Sequence, residues 1–402
     1  MQSGLLGDPP ASTDTHPPPR RGGGNRSGPG KSGCCGSRIN KEVRPPVSPT
    51  PAELSSYDDG RPVFGTTRDY EHPIRYSGSG MASEREIPSA TLPALFARAA
   101  EKAGDRVALR VERDASGEAP AVVHGQPPPP PLAAAAWQTW TYRQFYEQAC
   151  AIGKAFMELG VEQYDSVAIF GFNSPEWFIA THGAILCAAK SAGIYPTDTA
   201  AQVKFKVAHS GSKVMVLEDD ATLRSFQTVA GELPKCTTVV IWRPQQAEYQ
   251  PLANGQRVLT WSQLLAMGQA STTDLISRTA LIRPGHCCTL IYTSGTTGNP
   301  KAVMVSHDNI VFESTNVVIM LRDIVGTGSP DDEERVVSYL PLSHVAGMMV
   351  DIVCPLVLTA DPRPCYANVS FARPYDLKLG SIKDRLQSVR PTMFLGAFIH
   401  SF

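Results

Sequence analysis

Apolar side chains first recur at helical spacing in Thr91-Leu-Pro-Ala-Leu-Phe-Ala-Arg-Ala-Ala100, and the following Arg106-Val-Ala-Leu-Arg-Val111 alternates like a strand. From Thr141 the pattern settles into a rhythm. It predicts a helix over Tyr142–Leu159, a strand over Ser166–Phe172, and a helix from Pro175, a residue suited to a first turn, to about Ala192. Helices near Ala200–His209, around Leu223–Glu232 and over Trp261–Gly268 follow, interleaved with strands at Lys213–Glu218 and Thr237–Trp242. Such alternation reads as βα units, so the expected fold class is α/β, with mostly parallel sheets flanked by helices.

The pattern fails before residue 80. Of the chain's 33 Gly and 34 Pro, 25 fall in those first 80 residues, with Pro17-Pro18-Pro19, Gly22-Gly23-Gly24 and Pro45-Pro46 among them. Few apolar side chains accompany them, so residues 1–80 read as a disordered N-terminal tail. A second insert, Pro127 to Pro131 followed by Ala133 to Ala136, reads as a surface loop of polyproline II character. The most apolar stretch, Val345 to Ala360, is interrupted by Asp351 and falls short of the ~20 residues a membrane-spanning helix needs. Only Leu5 and Leu6 stand where a signal peptide needs an apolar run, so no secretion is expected.

Charge narrows the picture little. Against 38 Asp+Glu stand 37 Lys+Arg among 402 residues, a net charge of −1 that gives no support to a nucleic-acid binder. The nine cysteines, Cys34, Cys35, Cys150, Cys187, Cys236, Cys287, Cys288, Cys354 and Cys365, lack paired metal-ligand spacing and read as reduced thiols.

The most informative segment follows a short apolar run, Cys287-Cys-Thr-Leu-Ile-Tyr292, read as a buried strand. It is Thr293-Ser-Gly-Thr-Thr-Gly-Asn-Pro-Lys301, then Ala302-Val-Met-Val and Ser306, which suits the cap of a helix running to about Leu321. Gly295 and Gly298 allow a tight turn that brings backbone N–H groups against a ligand. Thr293, Ser294, Thr296 and Thr297 offer hydroxyls, Pro300 stiffens the approach of Lys301, and Lys301 brings positive charge. That composition suits a polyphosphate; a Gly-rich hairpin with solvated hydroxyls is the alternative. The glycine spacing matches neither a Walker A loop nor the dinucleotide fingerprint.

Tyr292-Thr-Ser-Gly-Thr-Thr-Gly-Asn-Pro-Lys-Ala-Val-Met304 resembles the signature of the adenylate-forming (AMP-binding) superfamily. Trp140-Thr-Tyr-Arg-Gln-Phe-Tyr146, Val167-Ala-Ile-Phe-Gly-Phe-Asn-Ser-Pro-Glu-Trp-Phe178, Gly193-Ile-Tyr195, Ser338-Tyr-Leu-Pro-Leu-Ser-His-Val-Ala-Gly347 and Val389-Arg-Pro-Thr392 resemble the same superfamily. Their wording is closest to long-chain acyl-CoA synthetases of the bubblegum type, over roughly residues 88–396. The resemblance implies a fatty acid–CoA ligase that works through an acyl-adenylate, with ATP, Mg²⁺ and coenzyme A. It makes Thr293, Ser294, Gly295, Thr296, Thr297, Gly298, Asn299, Pro300 and Lys301 the phosphate loop, and puts His344 near the acyl and nucleotide sites. For His344, a helix-start histidine satisfied by backbone is the alternative. Position 302, commonly Gly in the family, is Ala here.

After the tail at 1–80, the resemblance implies a partial AMP-binding domain at 81–396 and a divergent end at 397–402. Relatives run on for several hundred residues and carry the adenine, ribose and catalytic-lysine elements there, so weak or no activity is expected of the 402 residues alone. A non-catalytic chain that modulates a full-length homologue is one alternative, and an adenylate-forming ligase for another carboxylic acid is another. A cytoplasmic location is implied, with peripheral contact to intracellular membranes open. Asn173, Pro175, Glu176 and Trp177 read as a packed strand-to-helix junction, and Met348 and Met349 as core, a fatty-acid tunnel wall being the alternative.

Overall fold

The computed structural model describes residues 90–113, 120–293, 299–325 and 333–396, and within a helix only the backbone of residues 323–325. The tail, Cys34-Cys35 and the end at 397–402 lie outside the described residues. In chain order the elements begin with α1 (Leu92–Ala103), β1 (Val107–Val111), β2 (Gln138–Thr141), α2 (Tyr142–Glu158), β3 (Ser166–Phe170), α3 (Pro175–Leu186) and β4 (Lys190–Ile194). Next come α4 (Ala200–Ser210), β5 (Ser212–Asp219), α5 (Asp220–Ala230), β6 (Thr238–Arg243), β7 (Arg257–Thr260), α6 (Trp261–Ala270) and α7 (Leu275–Thr279). The chain continues with β8 (Cys287–Thr293), β9 (Lys301–Ser306), α8 (His307–Val325), β10 (Glu333–Ser338), α9 (Val345–Gly347), a π-helical stretch (Met348–Val353), α10 (Cys354–Ala360), β11 (Tyr366–Phe371) and α11 (Ile382–Val389).

Seven strands pair in the order β7-β6-β5-β3-β4-β8-β9, all parallel except the β8–β9 hairpin. A second sheet runs β10-β11-β1-β2, with β2 antiparallel. Alternation explains why the larger sheet reads as continuous apolar runs. On β3, β5 and β6, Val167, Ile169, Val214, Val216 and Val240 join one core, while Ala168, Phe170, Met215, Leu217, Val239 and Ile241 join another on the opposite face. The first core also takes Leu109, Val336, Val369 and Phe371 from the smaller sheet, so both sheets close on the same helices. Helix α3 accordingly has all twelve residues buried, the signature of a helix packed on every side.

Capping fixes where the helices start. Thr141, Thr199 and Thr260 each form a capping box with the glutamine three residues on, and Ser174 accepts from Trp177 N ahead of Pro175. Ser306 and Asn309 exchange hydrogen bonds of 3.1 Å at the head of α8, as its sequence suggests. The expected helix to Ala192 is a correction: α3 ends at Leu186, Ala188 turns the chain with φ 62°, and β4 begins at Lys190. The Pro-rich insert is a surface loop that closes with a 3-10 turn at Ala134–Ala136; Arg373 Nη1 donates to its Pro129 O at 2.8 Å, and Tyr375 Oη donates to Pro120 O ahead of it at 2.7 Å. No disulfide joins the described cysteines. No helix among the described residues is long and apolar enough to cross a membrane.

Candidate functional site

The chain leaves β8 at Thr293 and returns as β9 at Lys301, with Thr293 and Lys301 paired across the hairpin. Ser294, Gly295, Thr296, Thr297 and Gly298 lie outside the described residues. The flanks are described: Thr293, Asn299 and Lys301 are exposed, Pro300 is half-buried, and Thr293 Oγ1 donates to Lys301 O at 3.5 Å. The loop therefore springs from the carboxyl end of a buried parallel strand beside β4, the end at which open α/β sheets receive ligands.

A polar cluster that sequence reasoning missed anchors the last residue before the loop. Tyr292 Oη donates to Lys206 O at 3.0 Å and lies 3.2 Å from His209 Nδ1. Burial pushes the Tyr292 phenol up to about 12. Lys206 is buried in an ion pair with Asp198, its ammonium 4.8 Å from the Tyr195 ring centroid and 5.5 Å from that of Tyr292. A lysine two-thirds along an ordinary α4 carries no sequence mark of this role. Ala302 packs against Tyr292 and its neighbours at the hairpin base.

His344 sits at the same end of the molecule by a different route. It is the exposed N-cap of α9, its Nδ1 accepting from Ala346 N at 3.1 Å, which is the backbone-satisfied arrangement. The residue before it, Ser343, presses on β4: a β-carbon on Gly193 would lie 2.8 Å from Ser343 Cα. Ala192 pairs with Leu290 of β8, so the Ser343–His344 turn and the hairpin exit lie over neighbouring strands of one sheet. Among the described residues no hydrogen bond joins His344 to Asn299, Pro300 or Lys301.

Asn173 ties this turn down, its Nδ2 donating to Ser338 Oγ and to Leu340 O, both at 2.8 Å. Its neighbours pack, as their sequence suggests. Glu176 receives Arg113 in a bidentate pair at 2.8 and 2.7 Å, and Trp177 is buried. A polar cleft opens alongside, between Asn173, Glu218, Trp242, Arg243 and Arg373. Burial raises the pKa of Glu218, whose carboxylate accepts from Phe172 N at 2.7 Å and from Arg243 at 3.0 Å. Met348 is buried in the core and Met349 packs against it. Among the described residues no three His, Cys, Asp or Glu side chains converge into a set that could hold a metal ion.

Residues 96–364 match the AMP-binding enzyme family. The chain is 32% identical over 365 residues to the long-chain-fatty-acid–CoA ligase ACSBG2 of Xenopus laevis, an alignment spanning 89% of this chain and 44% of the relative. It is 34% identical to the ACSBG2 ligase of Gallus gallus, over 83% of this chain and 39% of that one. The Drosophila melanogaster long-chain-fatty-acid–CoA ligase heimdall is 33% identical, over 77% and 41%. The chain thus spans less than half the length of these relatives. Among solved structures, the anthranilate CoA ligase AuaEII in complex with anthranoyl-AMP superposes with a TM-score of 0.59 at 17% identity, covering 78% of this chain and 51% of that one. The A domain of a carboxylic acid reductase from Segniliparus rugosus superposes at 0.54 with 21% identity, over 77% and 48%. A buried parallel strand, a Thr/Ser/Gly hairpin ending at Lys301 and this match over most of the folded residues lead to one conclusion: the chain belongs to the AMP-binding enzyme family.

Proposed function

We propose that the chain is the nucleotide-gripping portion of an ATP-dependent long-chain fatty acid–CoA ligase. The single observation that carries this reading is the hydroxyl- and glycine-rich connection ending at Lys301, set at the carboxyl end of a buried parallel strand. A fatty carboxylate is a poor electrophile at neutral pH. Its oxygen attacks the α-phosphorus of ATP, forming the acyl-adenylate as the P–O bond to pyrophosphate breaks. The sulfur of coenzyme A then attacks the acyl carbon, and AMP leaves with the carboxyl oxygen it gained. The first step gathers negative charge around phosphorus, and donors aimed at the phosphates are what it needs.

In this reading Thr293, Ser294, Thr296, Thr297 and Asn299 donate to the β- and γ-phosphates, Gly295 and Gly298 let backbone N–H groups approach, Pro300 fixes the exit, and Lys301 adds charge. His344 belongs to the acyl-facing side of the same end. Mg²⁺ would arrive with the triphosphate. The names of the vertebrate and insect relatives support a long-chain fatty acid as the carboxylic acid.

The test is fatty-acid-dependent exchange of labelled pyrophosphate into ATP by a full-length form that carries these residues, with C12–C24 acids and with aryl acids in parallel. Exchange with the long-chain acids, lost in the Lys301→Ala/Thr297→Ala double variant, is the expected result. Exchange with aryl acids alone would move the substrate class. No exchange with any acid, together with co-purification of a longer homologue, would favour a non-catalytic modulating chain.

A further inference from the structure

A buried cluster of four charged side chains holds a proline run that the nucleotide reading does not use. Glu112 follows β1, Arg373 and Asp376 follow β11, Arg385 lies on α11, and each is buried. Arg373 Nε donates to Asp376 Oδ1 at 2.9 Å, while Arg385 donates through Nε to Asp376 Oδ2 at 3.3 Å and through Nη2 to Glu112. Ionised groups are costly to bury even when paired. Here part of their bonding capacity goes to the backbone of residues 129–132. Arg373 Nη1 donates to Pro129 O at 2.8 Å, and Glu112 Oε1 accepts from Leu132 N at 2.7 Å. Trp137 Nε1 donates to Leu132 O at 3.1 Å, and its ring centroid lies 4.6 Å from the Arg385 guanidinium carbon.

The run so held is unbroken from Pro127 to Pro131. Each ring fixes its own φ, and each residue ahead of a proline is pushed to extended backbone, so the run is a polyproline II helix with three residues per turn. Ala133, just beyond it, keeps the same conformation with φ −57° and ψ 139°. Exposure follows that period: Pro127, Pro130 and Ala133 are exposed, while Pro128, Pro129, Pro131 and Leu132 are half-buried. One ridge therefore faces outward, with Pro127 and Pro130 in P-x-x-P spacing. Residues 120–136 contain no Lys, Arg, Asp or Glu, and His124 is their one titratable side chain.

We infer that the Pro127–Pro130–Ala133 ridge is a docking surface for a partner protein that reads proline helices in an uncharged groove of tryptophan and tyrosine rings, as WW domains do. Two proline rings one turn apart fit the slots between aromatic rings, and a polyproline II segment spends no backbone bonds on itself. The pins at Pro129 and Leu132 order this segment before a partner arrives, so docking loses little further chain entropy. The lack of any basic side chain in residues 120–136 favours an apolar aromatic groove over one that adds an acidic pocket for Lys or Arg. The inference is independent of the nucleotide reading, since none of these residues belongs to the hairpin ending at Lys301.

Nuclear magnetic resonance titration tests it, with an isotope-labelled WW domain and, in parallel, an SH3 domain, each receiving the 402-residue chain. Saturable shifts of the tryptophan and tyrosine signals in the WW groove are the expected result. The Pro127→Ala/Pro130→Ala double variant should bind about tenfold or more weakly, with its unfolding midpoint unchanged because both rings are exposed. Should that variant fail to fold, Ala133→Asp puts a charge on the same ridge without touching a proline and should weaken binding likewise. No shift at millimolar chain, or binding by the SH3 domain alone, would overturn the proposal. Equal affinity in the unaltered chain and the double variant would overturn it too, because the binding would then belong to another proline run such as Pro17-Pro18-Pro19.

Discussion

Gly193 and Ser343 approach so closely that a β-carbon on the glycine would fall 2.8 Å from the Ser343 Cα and 2.9 Å from its Cβ. The first of these is a backbone atom, so no side-chain rotation relieves the contact. Gly193→Ala should force the Ser338–Gly347 turn away from β4 and lower stability by about 1–3 kcal/mol. Urea unfolding measures the loss, and a midpoint unchanged from the unaltered chain would show that the turn yields freely.

Arg113 and Glu176 join the strand end after β1 to the first turn of α3 through a bidentate pair shielded from solvent. Removing one member leaves the other buried and uncompensated. Arg113→Met should therefore cost about 3–5 kcal/mol, and Arg113→Met with Glu176→Met together less than the single change. A double-mutant cycle by chemical unfolding gives the comparison; strictly additive losses would contradict the coupling.

Stability should peak near pH 6.5 because two kinds of buried group pull in opposite directions. His182 and His307 are buried, with burial lowering each to about 3. Below the ordinary histidine value of about 6.5 the unfolded chain binds protons that the folded chain refuses, so stability falls with falling pH by up to about 2 kcal/mol per histidine at pH 5. Asp351, raised to about 8, behaves in reverse: the folded chain holds a proton that the unfolded chain releases, so stability is lost as pH rises from the ordinary carboxylate value of about 4 through 8, and this loss prevails above 6.5, where the histidines no longer oppose it. Unfolding free energy measured from pH 5 to 9 should trace that maximum, and Asp351→Asn should flatten its alkaline side. A monotonic rise through pH 9 in the unaltered chain would contradict the balance.

Much of this architecture is legible in the sequence for a physical reason: helix and strand periods differ, and α2, α4 and α6 keep theirs cleanly, with threonine caps marking the starts. What escapes depends on contacts distant in sequence. The strand β4 hides at the end of an apolar, alanine-rich helix because the turn is made by Ala188 in a left-handed conformation, where glycine would have signalled it. The hairpin partner β9 is visible only as a short apolar run after Pro300. In the candidate site the glycines and hydroxyls of the loop announce themselves, and the cap at His344 is readable from its position before an apolar helix. The Lys206–Asp198–Tyr292 cluster and the Asn173–Ser338 bond are not, since their partners lie 83 to 165 residues apart or look like ordinary helix surface. Asp351 shows in the sequence as an interruption of an apolar run, and its burial shows only in the fold.

The central claim is that the hairpin ending at Lys301 grips the phosphates of a nucleotide, and calorimetric titration of MgATP into the 402-residue chain tests it most directly. Lys301 is exposed, so Lys301→Ala should leave stability within about 0.5 kcal/mol. Its charge on a phosphate is worth about 1.5–3 kcal/mol, so the affinity should fall about tenfold or more. Saturable heat with the unaltered chain and that weakening in the variant is the predicted result. No heat at millimolar MgATP, or equal affinity in both, would contradict the account.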